Sequence, residues 1–123
     1  MTASHKFPTP LHYQVLDAAD PIGLVLDTIG DALPKFHPGN VVMTAGVSRW
    51  MDDEKIPFLP YLAMHLAGYW GDLDIHDIQV NEDSIKHGMR IMSSYPQPSN
   101  GEKLWIITEA DRSVTTLLFA SEY

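Results

Sequence analysis

The residues best suited to chemistry form a short polar cluster near the end of the chain, at positions 109–113. Glu109 and Arg112 stand on one turn, so a carboxylate and a guanidinium could perform acid–base work on a phosphodiester, with His65 as a third group. Alternatively, the turn is tied by its own side chains, with Asp111 accepting from backbone amides and Arg112 pairing with Glu109 or a helix carboxylate. The residue types favour this second interpretation. At the tip of a hairpin, Asp111 and Arg112 are also candidate contacts for a partner protein.

A second polar cluster follows Trp70 and consists of Asp72, Asp74, His76 and Asp77. Carboxylate oxygens of this kind could bind a divalent cation. The spacing lacks the glycine and the distal glutamate of a calcium-binding loop, and acids at this place would equally cap a helix and favour its dipole. We therefore predict a helix that starts at Asp74, and no metal site. Trp70, Asp72, Asp74 and Asp77 are instead candidate binding residues for a protein partner, with Trp70 as an anchor if it is exposed.

The histidines and glycines do not form a recognised catalytic or nucleotide-binding motif. His76 and His87 are eleven residues apart, about 16 Å along one helix, and therefore cannot bind one metal ion together. His65 lies beside an apolar helix stripe, where a histidine is more often a hydrogen-bonded boundary residue than a ligand. Phosphate-binding loops, dinucleotide-binding glycine patterns and nucleophile elbows are all missing from the sequence. We predict no cofactor, and we favour a protein that is not an enzyme.

The composition indicates one globular domain, residues 1–123, with a net charge of −8 from 16 acidic and 8 basic residues. Such a chain is repelled by phosphate backbones and anionic membranes, so no direct binding to nucleic acid is expected. The acidity either serves solubility or forms a face that binds the basic surface of a nucleic-acid-handling protein. The absence of cysteine and of long apolar runs favours a cytoplasmic protein without a membrane-spanning helix.

Local patterns predict an α+β fold in which helices pack on one face of a small antiparallel sheet. Apolar and β-branched runs predict strands at 40–44, 89–95, 103–108 and 114–119, and the last three form a C-terminal meander. Proline, aspartate and glycine signals predict helices at 21–33, 58–68 and from Asp74 to Gly88.

Shorter segments carry weaker patterns. Residues 1–10 are expected to be disordered, and residues 11–16 form a short extended piece. Ala45-Gly46 is expected to turn the chain before a helical turn at 47–53. In the helix after Asp74, an apolar face would contain Ile75, Ile78 and Ile85. Asn81 falls beside this face, and we expect it to tie the helix to a neighbouring element.

The C-terminal half, residues 58–123, resembles a family of small, largely uncharacterised bacterial proteins found on plasmids and integrated mobile elements. The residues that carry the resemblance are His65, Gly68, Trp70-Gly71-Asp72-Leu73, Asp77, Asn81, Gly88, Arg90, Ser94-Tyr95, Trp105 to Thr116, and Glu122-Tyr123. The resemblance implies a mobile-element context, plasmid maintenance or host defence, and no particular reaction.

Three functional hypotheses follow. The leading one is a protein-binding accessory module of a mobile element. The binding surface of this module combines the 109–113 turn with the 70–77 segment, and the module inhibits a nucleic-acid-handling host protein. The second is a small enzyme acting on nucleic acid or nucleotide through Glu109, Arg112 and His65. The third is a structural protein that self-associates through an open edge of its sheet.

Overall fold

The computed structural model describes residues 13–15, 34–97 and 99–123. The predicted helix at 21–33 and the expected disorder of residues 1–10 lie outside these ranges. The described elements are, in chain order, β1 (Tyr13–Val15), β2 (Asn40–Thr44), α1 (Ala45–Glu54), α2 (Leu59–Ala67), α3 (Ile75–His87), β3 (Ile91–Pro96), β4 (Lys103–Thr108), β5 (Val114–Phe119) and a 3₁₀ turn at Ala120–Glu122.

These elements form the predicted α+β fold, but the sheet is mixed and not purely antiparallel. Among the described residues, five strands follow the order β1-β2-β5-β4-β3. The meander of β3, β4 and β5 is antiparallel, as predicted, whereas β2 pairs with β5 in parallel, with Val42 opposite Thr116. A parallel pair needs a long crossover between its strands, and the intervening helices and strands supply it.

The main core lies between the sheet, α1 and α2. Alternate residues of the strands point to this side, and the two helices contribute their apolar stripes. The fully or almost fully buried members include Val41, Met43, Val47, Trp50, Leu62, Leu66, Leu104, Ile106 and Leu117. Leu118 and Thr116 of β5 point to the opposite face and are buried as well, so both faces of the central strand are covered.

The first helix begins earlier than the sequence predicts. Ala45-Gly46, expected to be a turn, forms the first residues of α1, because Thr44 caps the helix: its Oγ1 accepts from the Val47 amide at 3.2 Å. The same hydroxyl donates to Glu122 Oε1 at 2.8 Å, which joins the helix start to the end of the chain. A Cβ on Gly46 would lie 2.8 Å from Glu122 Oε2, so glycine leaves the room for this carboxylate.

The helix α2 matches its prediction, with Pro60 in its first turn and Gly68 as its left-handed C-cap (φ 89°). The helix α3 also begins and ends as predicted: Asp74 Oδ1 accepts from the Asp77 amide at 2.8 Å, and Gly88 closes the helix with φ 68°. Its predicted apolar face is wrong, because Ile75 is 84% exposed while Asn81 and Ser84 are buried.

The buried face of α3 is polar because this helix closes the edge of the sheet. Asn81 Nδ2 donates to the Met92 carbonyl at 2.7 Å, and the Met92 amide donates to Asn81 Oδ1 at 3.1 Å. Two residues further along, Ser94 exchanges backbone hydrogen bonds of 3.0 and 2.9 Å with Trp70 and Asp72. The prediction that Asn81 ties its helix to a neighbour is confirmed. The outer edge of β3 is therefore satisfied by an amide side chain and a short parallel bridge.

Among the helices of the described ranges, none is long and apolar enough to cross a membrane.

Replacing Asn81 by alanine should lower the free energy of unfolding by roughly 1–3 kcal/mol, because the Met92 amide and carbonyl both lose a buried partner. Urea titration followed by circular dichroism measures this. The matched control is Gln79→Ala on the exposed side of the same helix, expected within about 0.5 kcal/mol of the wild type. Equal effects of the two substitutions would contradict the role given to Asn81.

Candidate functional site

His65 lies at the centre of a buried polar chain. It is fully buried on α2, and both of its ring nitrogens are hydrogen-bonded. Nδ1 lies 2.5 Å from Ser93 Oγ, and Nε2 lies 2.9 Å from Thr108 Oγ1. Phe36 and Trp70 meet the imidazole edge to face, with ring centroids 5.2 and 5.9 Å away. Hydrogen bonds at both nitrogens and two aromatic contacts thus fix the position of the imidazole.

The proton positions in this chain follow from its last member. Thr115 Oγ1 donates to the Pro38 carbonyl at 2.7 Å, and a carbonyl can only accept. Thr115 must therefore accept from Thr108, whose hydroxyl lies 2.7 Å away. Thr108 in turn must accept from His65 Nε2–H, so Nδ1 is the unprotonated nitrogen and accepts from the Ser93 hydroxyl. Each hydroxyl donates to a single acceptor, and the imidazole is the neutral Nε2–H tautomer.

The electrostatic surroundings agree with this assignment. Burial, and secondarily the positive charge of Arg112, lower the pKa of His65 from 6.5 to about 3. The only lone pair of the neutral ring is already accepting from Ser93. His65 is therefore placed to hold β3, β4 and β5 together and is not placed to take a proton from a substrate.

Arg112 binds backbone carbonyls and not the carboxylates suggested by the sequence. Its Nη2 donates to Ser84 O at 2.9 Å, and its Nη1 donates to Met89 O at 2.6 Å and to Glu109 O at 3.1 Å. Ser84 lies in the last turn of α3 and Met89 just beyond it, and the negative end of the helix dipole there favours a cation. The guanidinium also lies 5.7 Å from the centroid of the Phe36 ring.

The other polar residues of the 109–113 turn are engaged as well. Glu109 is 7% exposed, and its Oε1 lies 3.7 Å from Arg90 Nε. Asp111 Oδ1 accepts from the Ser113 amide at 2.9 Å, as the structural interpretation of the turn predicts. Glu109, Arg112 and His65 thus do not line a common open cleft. This arrangement counts against an acid–base centre built from these three groups.

An open groove lies elsewhere, on the sheet face opposite α1 and α2. One cavity of about 280 Å³ is bounded by α3, β3, β4 and Tyr123, with Val80, Met92, Trp105 and Ile107 among its apolar residues. A second cavity of about 280 Å³ adjoins it and is lined by Asp72, Asp74, Ser94 and Lys103. Both cavities share Leu73, Asp77, Met92 and Trp105. We call this continuous depression the α3 groove.

The three candidate carboxylates of the 70–77 segment lie at one end of the α3 groove. Asp72 Oδ2 is 3.1 Å from Lys103 Nζ. Burial raises the pKa of the Asp72 carboxyl, but hydrogen bonds from Ser94 and Lys103 and the charge of Lys103 outweigh this effect, and the pKa lies below its usual range. Asp74 and Asp77 are exposed at the start of α3.

The remaining candidate binding residues lie apart from the groove. Trp70 is 4% exposed and donates through Nε1 to Glu82 at 3.1 Å, so it is a core residue and the condition for an anchor role, exposure, is not met. Asp111 and Arg112 are on the turn that contacts the C-terminal end of α3, whereas Asp74 caps its N-terminal end. Ten residues from Asp74 to Ser84 correspond to about 15 Å. The two segments therefore do not form the single compact site expected from the sequence.

Sequence reasoning missed the apolar wall of the α3 groove. Trp105 and Ile107 alternate along β4 with the core residues Leu104 and Ile106, so they point to the opposite face. The alternation was available in the sequence, but both faces of the strand are apolar, and nothing local distinguishes the core side from the groove side. Tyr123 joins the wall because its ring packs 5.5 Å from that of Trp105.

Within the part of the chain that the structure describes, no three histidine or acidic side chains are placed to hold a metal ion. Comparison with known proteins yields no protein-family model, no curated protein and no solved structure that matches the chain. The resemblance to plasmid-related proteins thus stays a prediction.

The buried His65 makes stability dependent on pH. In the unfolded chain this side chain binds a proton below about pH 6.5, whereas the folded protein binds it only near pH 3. Between these values the unfolded state carries more protons, so stability falls as pH falls. We expect a loss of roughly 2 kcal/mol between about pH 7 and about pH 5 from this one group.

Urea titrations of wild type and His65→Gln over this pH range measure the effect. The variant should be less stable at pH 7, and the difference between the two proteins should shrink as pH falls. Parallel stability profiles for the two proteins would contradict a neutral, buried His65.

Replacing Arg112 by lysine should lower the free energy of unfolding by roughly 1–3 kcal/mol, because a single ammonium cannot reach the carbonyls of α3 and of its own turn together. The control is Arg49→Lys on the exposed surface of α1, with little expected change. Hydrogen exchange at the end of α3 should accelerate in the Arg112 variant only. Unchanged protection there would show that Arg112 does not hold this helix.

Proposed function

We propose that this chain is a non-enzymatic, cytoplasmic protein-binding module that docks a basic segment of a partner protein in the α3 groove. One observation carries the proposal: the groove combines a solvent-accessible apolar wall with an acidic end, whereas His65, Glu109 and Arg112 are engaged in holding the fold. The accessible groups of the groove are thus suited to binding a partner, whereas the groups suited to catalysis are engaged in contacts within the fold.

The apolar wall has the composition of a binding surface. Tryptophan, tyrosine and methionine are enriched in protein interfaces, and Trp105, Tyr123 and Met92 meet in this groove. The rim adds exposed apolar area, since Val80 is 43% and Tyr123 is 45% exposed. Burying these side chains against a partner would provide the non-specific part of the affinity.

The charge of the protein selects the kind of partner. The chain carries a net charge of −8, and Asp74 and Asp77 place acidic groups directly at the groove. Such a surface attracts basic proteins, steers their approach and repels acidic ones. Proteins that handle nucleic acid are the common carriers of basic surfaces, so we propose that the partner is one of these. Together with the resemblance to plasmid-related proteins, this supports an accessory role for a mobile element, in which binding inhibits such a host protein.

The two alternatives receive less support. An enzyme that uses Glu109, Arg112 and His65 would have to break the hydrogen bonds that join β3, β4, β5 and α3. Self-association by strand pairing would need an open edge, and the edge at β3 is closed by Asn81 and by the backbone of 70–72. In the described ranges the opposite edge strand, β1, has three residues.

Removing the acidic end of the groove should abolish partner binding. In Asp74→Asn/Asp77→Asn, two charges are lost while asparagine still caps the helix. We expect the tagged wild type to retain a basic protein from lysate of its native host, releasing it as salt rises, and we expect the variant to retain at least tenfold less of the same protein. Quantitative mass spectrometry of the eluates measures this.

The matched control is Asp52→Asn/Asp53→Asn, which removes the same charge from the exposed surface of α1. It should retain the partner like the wild type. If both double variants lose the partner equally, net charge and not the groove is responsible. If the wild type retains no basic protein, the proposed function is wrong.

A further inference from the structure

We infer that the acidic end of the α3 groove recognises an arginine side chain, followed in the partner segment by a large apolar residue. This inference rests on the proposed function and specifies which residue of the partner binds in the groove. It is carried by the juxtaposition of an accessible indole wall, the neighbouring carboxylates and the apolar continuation of the same groove.

The carboxylates provide the charge for this recognition. Asp72 is paired with Lys103 at 3.1 Å, but in the described part of the chain neither Asp74 nor Asp77 forms an ion pair. Asp74 caps α3 through Oδ1, and its carboxylate has a second oxygen that can accept a further hydrogen bond. Two neighbouring carboxylates can accept the parallel N–H groups of a guanidinium, which gives a stronger and more directional contact than a single ammonium.

The indole of Trp105 provides the second contact. It is partly exposed and lines both cavities of the groove, so it lies beside the carboxylates as well as beside the apolar wall. A guanidinium stacks favourably on an aromatic face, and tryptophan is the best such face. Tyr123 packs against the indole and thereby restricts its orientation before any partner binds.

The far end of the groove fixes the direction of the partner segment. Arg90 lines that end, with Nη1 donating to the Tyr123 hydroxyl at 2.9 Å and its guanidinium 5.4 Å from the centroid of the Tyr123 ring. Arg90 is already paired with Glu109 at 3.7 Å, so this end offers a second cation no carboxylate partner. The basic residue of the partner is therefore directed to Asp74 and Asp77, and the residue that follows it lies on Met92 and Val80, between the two ends of the groove.

Short synthetic peptides test this assignment on the full-length protein. The reference peptide contains one Arg-Leu pair in a neutral, otherwise polar sequence, and two matched peptides carry lysine or citrulline in place of arginine. We expect arginine to bind several-fold more tightly than lysine, and citrulline, which has nearly the same shape without the charge, to bind at least tenfold more weakly. Isothermal titration calorimetry at two salt concentrations measures the dissociation constants.

Protein variants locate the contact. Trp105→Leu should weaken binding of the arginine peptide about fivefold to tenfold while affecting the citrulline peptide less, because the indole–guanidinium contact is lost. Asp74→Asn/Asp77→Asn should reduce the preference for arginine over citrulline to near one. Tyr69→Leu, which changes a 65% exposed aromatic residue that does not line the groove, should leave all three affinities unchanged.

Other outcomes separate this inference from the proposed function. Equal binding of the three peptides would overturn arginine recognition and leave apolar docking in place. If no peptide binds while a basic host protein is still captured through Asp74 and Asp77, arginine recognition is wrong and the proposed function stands. If neither peptide nor host protein binds, both are wrong.

Discussion

A chain of hydrogen bonds runs from Ser93 through His65, Thr108 and Thr115 to the Pro38 carbonyl. Each donor in this chain has a single possible acceptor. Buried polar groups must be paired, because an unpaired one costs roughly 1–3 kcal/mol, and a partly satisfied network is worse than an apolar core. This chain crosses from α2 to three strands of the sheet, so it fixes their relative positions as well as the neutral state of the histidine. A residue that could have been catalytic instead defines how the layers meet.

The same principle explains the placement of α3. The helix does not contribute a large apolar face to the core; it satisfies the backbone of the edge strand β3 through Asn81, and its C-terminal end is held by Arg112, which donates to the Ser84 and Met89 carbonyls. Asn81 and Arg112 thus hold α3 along the edge of the sheet and not over its face. Because α3 lies at the edge, Met92 and Trp105 on the sheet face beside it stay partly accessible, and the α3 groove results from this arrangement.

Part of the negative charge of the chain is concentrated at one end of the α3 groove. A net charge of −8 spread evenly over the surface would serve solubility alone, but Asp72, Asp74 and Asp77 lie beside an accessible tryptophan. Helix capping explains Asp74, and the pairing with Lys103 explains Asp72. These structural roles are compatible with binding, because a capping carboxylate remains at the surface and has a second oxygen.

Local sequence signals were sufficient to predict two helices and three strands. Proline, aspartate and glycine at their ends fixed α2 and α3, and β-branched runs fixed β2, β4 and β5 almost to the residue. Tertiary contacts are responsible for the features that local signals did not predict: the parallel pairing of β2 with β5, the helical start at Ala45, the polar buried face of α3, the carbonyl partners of Arg112 and the side of β4 that faces the groove. Each of these depends on atoms distant in sequence, such as Glu122 beside Thr44 or Met92 beside Asn81. Local propensity cannot encode such contacts, because the same asparagine or arginine can satisfy many different partners until the chain has folded.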